Sequence, residues 1–518
     1  MSQQSQIGIA EHEQYDDVAP DASSMIESMR AYGYTLQTAI ADLVDNSIAA
    51  GCKSIWIRFE WAGADSWISV SDDGSGMTEA ELVCAMRLGS KSPLQPRSPT
   101  DLGRFGLGLK TASLSQCRRL TVTARPKPGQ DVVRRWDLDH LARSDVQGWQ
   151  LLRSAYPGSE SRAAVPDELE RGTVVLWEHL DRLVGPARKD DNRAKRHFFA
   201  AVADVATHLG MVFHRYLDRS HNNRIQISIN GDWVTPWDPF LENHPATEPT
   251  PEEEIVLPGF PAPIRLRGFV LPHKDRLGDA AHQAASGLAG WNAQQGFYLY
   301  RNERLIIAGS WLGLGGARPW TQEEHYKLAR IRLEIPNTMD HVWQVDVKKS
   351  TAQAPALIRD RLTGLAQKVR IDARAVYAYR GKYGPRTKLE EIRRPWKSVR
   401  QNGIIRYKID REHPLVGSVL AGAERRAEIE AVFRVLEETV PVEQIWLDSA
   451  ESPDALRAPF HGSTSNQVRT LVEVAYRAIR RNQQLSHHDT VLALLQLEEF
   501  AGEETRAIIA SLAPKNNK

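Results

Sequence analysis

The stretch Ala39–Gly51, "AIADLVDNSIAAG", decides how the N-terminal part of this chain is read. Ile40, Leu43, Val44 and Ile48 recur at helical spacing, so the segment forms an amphipathic helix with one apolar stripe. Beside the stripe stand Asp42, Asp45 and Asn46, and Asp42 and Asn46 lie one turn apart on the same side. Asp and Asn inside helices are ordinarily solvated residues that compete with backbone bonding. A helix this apolar that still groups two carboxylates and an amide marks its polar side as a candidate site.

Composition sets the outer bounds. A chain of 518 residues accommodates about three domains, each able to bury its own core. With 66 basic and 65 acidic residues it is globally neutral, so any contact with nucleic acid must rest on a local patch. The three cysteines, Cys52, Cys84 and Cys117, show no metal-ligand spacing, and their odd number without a secretory signal predicts reduced thiols. The N-terminus is polar and acidic, and no apolar run reaches membrane-spanning length. The expectation is a cytoplasmic protein with no membrane partner.

Working outward from the helix, "KSIWIRFEW" and "SWISVSDDG" read as two strands of a hairpin, "RLTVTAR" and "GTVVLWEHL" as further strands, and "PARKDDNRAKRHFFAAVADVATHLG", residues 186–210, as the region of a long helix that bridges to a second unit. Arg87 to Gly103 is rich in Pro, Ser and basic residues and reads as a mobile loop. The strand "RIQISING" is taken to open a second unit, followed by "RLRGFVL", "GFYLYRNERLII", "ARIRLEIP" and a helix from about Ala354 to Tyr379. Trp233, Trp237 and Trp311 are assigned to its core. The expected division is an arm at 1–22, a first domain at 23–215, a second at 216–380 and a third at 381–518.

Two glycine-rich motifs carry the chemistry. In "VSDDGSGMT", Asp72 is followed by Gly74 and Gly76 just after a strand; the glycines let backbone approach a flat ligand, and a carboxylate at a strand end can accept from an exocyclic amine such as that of adenine. In "GRFGLGLKTAS", Gly103, Gly106 and Gly108 lead into a helix, whose N-terminal N–H groups and dipole make a phosphate cradle to which Lys110 adds a charge. Taken in order, helical D-x-x-x-N, strand-D-x-G-x-G, loop, G-x-x-G-x-G-L-K and strand-G-T resemble the GHKL ATPases over roughly residues 25–180. That family includes type II topoisomerases, MutL, the ninety-kilodalton heat-shock chaperone, MORC proteins and histidine kinases.

The resemblance implies an α+β chain: a two-layer α/β sandwich with a mixed sheet, a transducer-like α/β domain, and a mixed, mainly helical C-terminal domain. It implies ATP and Mg2+ as ligands, with Asn46 on the metal, Asp72 reading adenine with help from Thr173, and Gly103 to Lys110 around the triphosphate. The hydrolytic members usually carry Glu where this chain has Asp42, so the general base is Asp42 or, as second candidate, Asp45. In "MDHVWQVDVKKSTAQAP" the Lys348–Lys349 pair is similar to the transducer lysine that reaches the γ-phosphate, and either residue can fill that role. "ESMRAYGYTLQTAIADLVDNSIAAG" and "GFYLYRNERLI" look like MORC and MORC-like proteins.

Between Arg380 and Arg411 eleven basic residues face three acidic ones, a local surplus of +8, with Tyr383, Trp396 and Tyr407 interleaved. Such a run is a solvated face or a backbone-binding patch for nucleic acid. "SHHD" at 486–489 reads as a helix start. The leading reading is an ATP-dependent homodimeric clamp of the MORC or MutL type on nucleic acid, in a restriction or phage-defence setting and with operon-encoded protein partners. The alternatives are a chaperone-like ATPase acting on protein clients and a topoisomerase subunit that would need a partner.

Overall fold

The computed structural model describes residues 20–89, 108–221, 224–257, 262–287, 289–316, 318–339, 342–344, 352–378, 395–401, 404–421, 424–442, 444–445, 465–495 and 503–512, with Phe260, Leu497 and Phe500. Gly103, Gly106, Lys348, Lys349, most of the Arg87 to Gly103 loop and the stretch 1–19 lie outside them. The class is α+β.

The first sheet is built from β1 (Ser54–Glu60), β2 (Trp67–Asp72), β3 (Arg119–Arg125), β4 (Val132–Asp137), β5 (Gly172–Glu178), β6 (Gln226–Ile229) and β7 (Asp232–Trp233), in the order β4-β3-β5-β2-β1-β6-β7. Every neighbouring pair is antiparallel except β1 with β6. Ile55, Ile57 and Phe59 alternate inward from β1 and share one core with Ile40, Leu43 and Val44 of α2 (Leu36–Ala49). Helix α1 (Ala22–Met29) adds Ile26 to that core, and α5 (Asn192–Val212) adds Phe198, Val205 and Leu209. Two shorter helices, α3 (Glu79–Met86) and α4 (Gly108–Gln116), flank the glycine motifs.

The strand expected to open the second unit belongs to the first sheet. Ile227 and Ile229 of β6 are buried beside β1, and the Asn230 side chain accepts from the Phe59 N–H at 2.8 Å, so the otherwise open edge of β1 is closed.

The second sheet holds β8 (Glu248–Pro249), β9 (Glu253–Ile255), β10 (Ile264–Val270), β11 (Gly296–Arg301), β12 (Arg304–Ser310) and β13 (Ala329–Glu334). Its order is β12-β11-β13-β10-β8, with β9 also on β10. "GFYLYRNERLII" is thus two strands. Asn302 and Glu303 both take positive φ, at 46° and 63°, which is the conformation of a two-residue hairpin turn. Helix α6 (Ala356–Ala378) packs Ile358, Leu362, Ala366 and Val369 onto this sheet. Trp311 is buried there as expected, but Trp233 is 58% exposed on the short edge strand β7, where nothing in the described structure covers it fully.

In the third unit the described part of the basic segment is a hairpin of β14 (Trp396–Gln401) and β15 (Ile404–Ile409). It is followed by α7 (Pro414–Ala421), α8 (Arg426–Glu438), α9 (Ser465–Gln483), α10 (His487–Leu495) and α11 (Glu503–Ala510). Ser486 caps α10 by accepting from the Asp489 N–H at 3.1 Å, as the sequence predicts. Among the described residues no helix is long and apolar enough to cross a membrane.

Candidate functional site

Helix α2 starts at Thr35, whose hydroxyl accepts from the Thr38 N–H while the Thr38 hydroxyl accepts from the Thr35 N–H. Nine of its residues are buried, and three of those are polar: Asp42, Asp45 and Ser47. Burying a polar group is costly without a partner, and each of the three has one outside the helix. The Tyr34 hydroxyl donates to Asp42 Oδ2 at 2.9 Å. The Arg304 Nε, on β12 of the second sheet, donates to Asp45 Oδ1 at 2.8 Å. The Ser47 hydroxyl donates to Asp72 Oδ2 at 2.7 Å. Asn46, between them, is exposed.

Asp72 closes β2, opposite Thr173 of β5 in the antiparallel register. Its other oxygen accepts from the Gly74 N–H at 2.9 Å. Both of these donors are neutral, and burial holds the carboxyl above the usual carboxylate range against their pull. Each carboxylate oxygen accepts two hydrogen bonds, so capacity remains for a ligand amine. Gly76 has φ +65°, and a Cβ there would sit 2.2 Å from the Arg125 carbonyl oxygen, so only glycine fits the turn that leaves this strand end. Neighbouring Cys52 is buried, and desolvation together with Asp72 pushes its thiol up to about 12.

At the other end of the polar side, Gly108 opens α4. A Cβ on it would stand 3.2 Å from Asp42 Oδ2, which places the N-terminus of α4 against that carboxylate. From Asp42 to Ser47 the helix rises about 7.5 Å, so the carboxylate beside the start of α4 and the hydroxyl bonded to Asp72 lie along one helix with Asn46 between them. Lys110 is buried, and its ammonium donates to the Ala85 carbonyl at 2.9 Å and the Arg87 carbonyl at 2.8 Å. It therefore joins the end of α3 to the start of α4, the two sides of the intervening loop.

No three carboxylate, histidine or thiol groups among the described residues could hold a metal by themselves. Mg2+ takes one or two protein oxygens and fills its octahedron with phosphate and water. The exposed Asn46 amide, one turn from Asp42, fits this donor set.

Residues 34–167 match the family described as histidine kinase-, DNA gyrase B- and HSP90-like ATPase. The N-terminal unit is a GHKL domain. This GHKL domain is MutL-like: it is 32% identical over 176 residues to the DNA mismatch repair protein MutL of Sphingopyxis alaskensis, covering 33% of this chain and 25% of that protein. MutL of Acidiphilium cryptum is 30% identical over 174 residues, covering 33% and 26% respectively. MutL of Halobacterium salinarum is 35% identical over 105 residues, covering 20% and 16%. The match thus spans at most about a quarter of each of these relatives. A solved N-terminal domain of a DNA repair protein is distantly alike, with 15% identity and a TM-score of 0.38 over 70% of this chain and 99% of that one.

The structure brings Asp42, Asn46, Asp72, Gly74, Gly108 and Thr173 to α2 and the strand ends beside it, and draws Asp45 into the contact with the second sheet. Tyr34, Ser47 and Arg304 were not singled out from the sequence. Ser47 carries a usable signal, since it follows Asn46 and lies one turn past Leu43 toward the strand end; the partnership of Arg304 with Asp45, 259 residues apart, carries none.

Proposed function

We infer that the chain binds ATP with Mg2+ along the polar side of α2, hydrolyses it, and uses the cycle to close a dimeric clamp on DNA. The observation that carries the reading is Asp72, a carboxylate buried at a strand end with neutral donors and spare acceptor capacity. Such a group costs the fold free energy that a ligand amine returns. In this reading adenine donates its amine to Asp72, while Ser47, Gly74 and Thr173 hold the carboxylate in place. The N–H groups at the start of α4 receive the phosphates, with Gly103 and Gly106 before them. Asn46 supplies the amide oxygen to Mg2+. When held there, the ion would supply positive charge against the triphosphate oxygens.

Asp42 accepts the proton of a water that attacks the γ-phosphorus, and the bond to the β-phosphate oxygen breaks to release ADP. Tyr34 fixes the orientation of Asp42 through the hydrogen bond it donates to Oδ2. Lys348 or Lys349 from the second unit reaches the γ-phosphate. Asp45 serves this reading better as the link to Arg304 than as a base, because its Oδ1 is already held by a guanidinium at 2.8 Å. DNA is proposed as the partner because the similar proteins are named for DNA mismatch repair.

The test measures ATP turnover with and without duplex DNA, and sedimentation with and without a non-hydrolysable ATP analogue. Turnover stimulated by DNA and an analogue-dependent dimer of N-terminal units are expected. No turnover, together with a mass indifferent to the analogue, would defeat the reading; stimulation by unfolded protein and not by DNA would move it to the chaperone class.

A further inference from the structure

Where the first and second units meet, the start of α2, the end of α5 and strand β12 enclose a cavity of about 580 Å³, a size that suits a small molecule. Much of its lining is aliphatic, with Met211 and Val212 from α5 and Leu305, Ile306 and Ile307 from β12. Among the described residues the only ring that lines it is the imidazole of His208, so it offers a flat aromatic ligand little to stack on.

The polar lining offers donors. Arg304 gives Nε to Asp45 at 2.8 Å and Nη1 to the Leu305 carbonyl at 3.0 Å, which leaves Nη2 with no hydrogen-bond partner among the described residues. The His208 side chain has no hydrogen-bond partner among them either. Burial, with Arg304 nearby, pushes its pKa down to about 4, so at neutral pH the ring is uncharged and keeps one N–H to donate. The Ser310 hydroxyl accepts from the Leu312 N–H at 3.1 Å and has its own proton to give. Arg359, exposed in the first turn of α6, adds a second guanidinium, and no carboxylate lines the cavity. Asp45 behind Arg304 already answers one positive charge, so the head that fits is a monoanion and not a phosphate dianion.

We propose that this cavity binds an aliphatic monocarboxylate, with its head on Arg304, His208 and Ser310 and its chain along α5 and β12. The guanidinium that receives the head also holds Asp45 of α2, and Thr38 of the lining stands one turn before Asp42. Ala352 and Gln353 of the lining follow the Lys348–Lys349 pair in sequence. Occupancy is therefore coupled to nucleotide at α2; that coupling rests on the proposed ATP reading, whereas binding of the acid does not.

Calorimetric titration of the full, nucleotide-free chain with decanoate tests this. One saturable site per chain is expected, with 1-decanol, which lacks the charge, and acetate, which lacks the chain, each binding at least about tenfold more weakly. His208→Ala removes no hydrogen bond of the described fold and should weaken decanoate about tenfold, and Met211→Trp, which fills the cavity, should abolish saturable binding. Melting curves without ligand show whether each variant is folded, and if Met211→Trp is not, His208→Ala decides alone. No saturable decanoate binding, equal binding of 1-decanol, or unchanged affinity in His208→Ala would overturn the proposal. Saturating ATP should change the decanoate affinity at least about fivefold, and an unchanged value would overturn the coupling. Decanoate binding in a chain that binds no ATP would defeat the ATP reading and leave this site standing; ATP binding without decanoate binding would do the reverse.

Discussion

Replacing Arg304 with methionine tests whether the second sheet holds α2, the helix of the proposed ATP site, in place. Arg304 and Asp45 are 4% and 2% exposed with a 2.8 Å contact, and the guanidinium also donates to the Leu305 carbonyl at 3.0 Å and lies 5.6 Å from the Phe213 ring. Methionine keeps much of the packing and removes the charge, leaving a buried carboxylate short of that cation. Taking one partner from a buried pair costs about 3–5 kcal/mol. With a urea slope of about 2–3 kcal/mol/M, the midpoint of the N-terminal unit should fall by about 1–2 M. Asp45→Leu combined with Arg304→Met removes both charges and should cost less than the two single changes added together. Urea unfolding followed by tryptophan fluorescence gives all three values. A cost for the double variant equal to that sum within about 0.5 kcal/mol would show that the pair is not coupled and refute the reasoning.

Asn46→Ala should lose the Mg2+ dependence of nucleotide binding, while Asp42→Asn should bind ATP and not turn it over; normal turnover by Asp42→Asn with loss in Asp45→Asn would transfer the base to Asp45. Tyr34→Phe should bind ATP normally and slow turnover by about tenfold, since it removes only the hydroxyl that orients Asp42, and an unchanged rate would remove that role. Because burial raises the Asp72 carboxyl, it takes up a proton at a higher pH than an exposed carboxylate does as the pH falls, so nucleotide affinity should decline in mild acid above pH about 4; a profile flat down to that value would contradict this. A thiol reagent at pH 8 should modify the exposed Cys84 and leave Cys52 and Cys117 untouched, because both are buried and the Cys52 thiol is pushed up to about 12.

What could be read from the sequence was local. The α2 stripe, the β1–β2 hairpin and the Asp72 turn are set by periodicity and by residues within a few positions of one another, and the structure repeats them. What could not be read depends on distance or on missing punctuation. The pairing of β6 with β1 joins segments about 170 residues apart, and nothing in "RIQISING" says which sheet it will extend. The β11–β12 turn uses Asn-Glu where Asn-Gly is the usual signal, so two strands read as one. The basic run reads as a solvated face or a backbone-binding patch, and in the structure Lys397 pairs with Asp410 at 2.8 Å and Arg411 with two glutamates of α8, acids that lie at the end of the run or beyond it. Its bases from Arg380 to Arg394 lie outside the described residues.

Calorimetric titration of Asp72→Asn with ATP and Mg2+ tests the central claim most directly. Asparagine keeps the shape but exchanges the charged acceptor for a weaker one, leaving the adenine amine poorly matched at a cost of about 1–3 kcal/mol. The raised carboxyl also fixes the sign of the stability effect. A proton is held more tightly in the folded chain than in the unfolded one, so the ionised group opposes folding at neutral pH, and that penalty fades as the pH falls through the folded value. The account therefore predicts a variant whose melting temperature at pH 7 is unchanged or higher and whose ATP affinity falls about fivefold to a hundredfold. Wild-type affinity in a folded Asp72→Asn protein would contradict it.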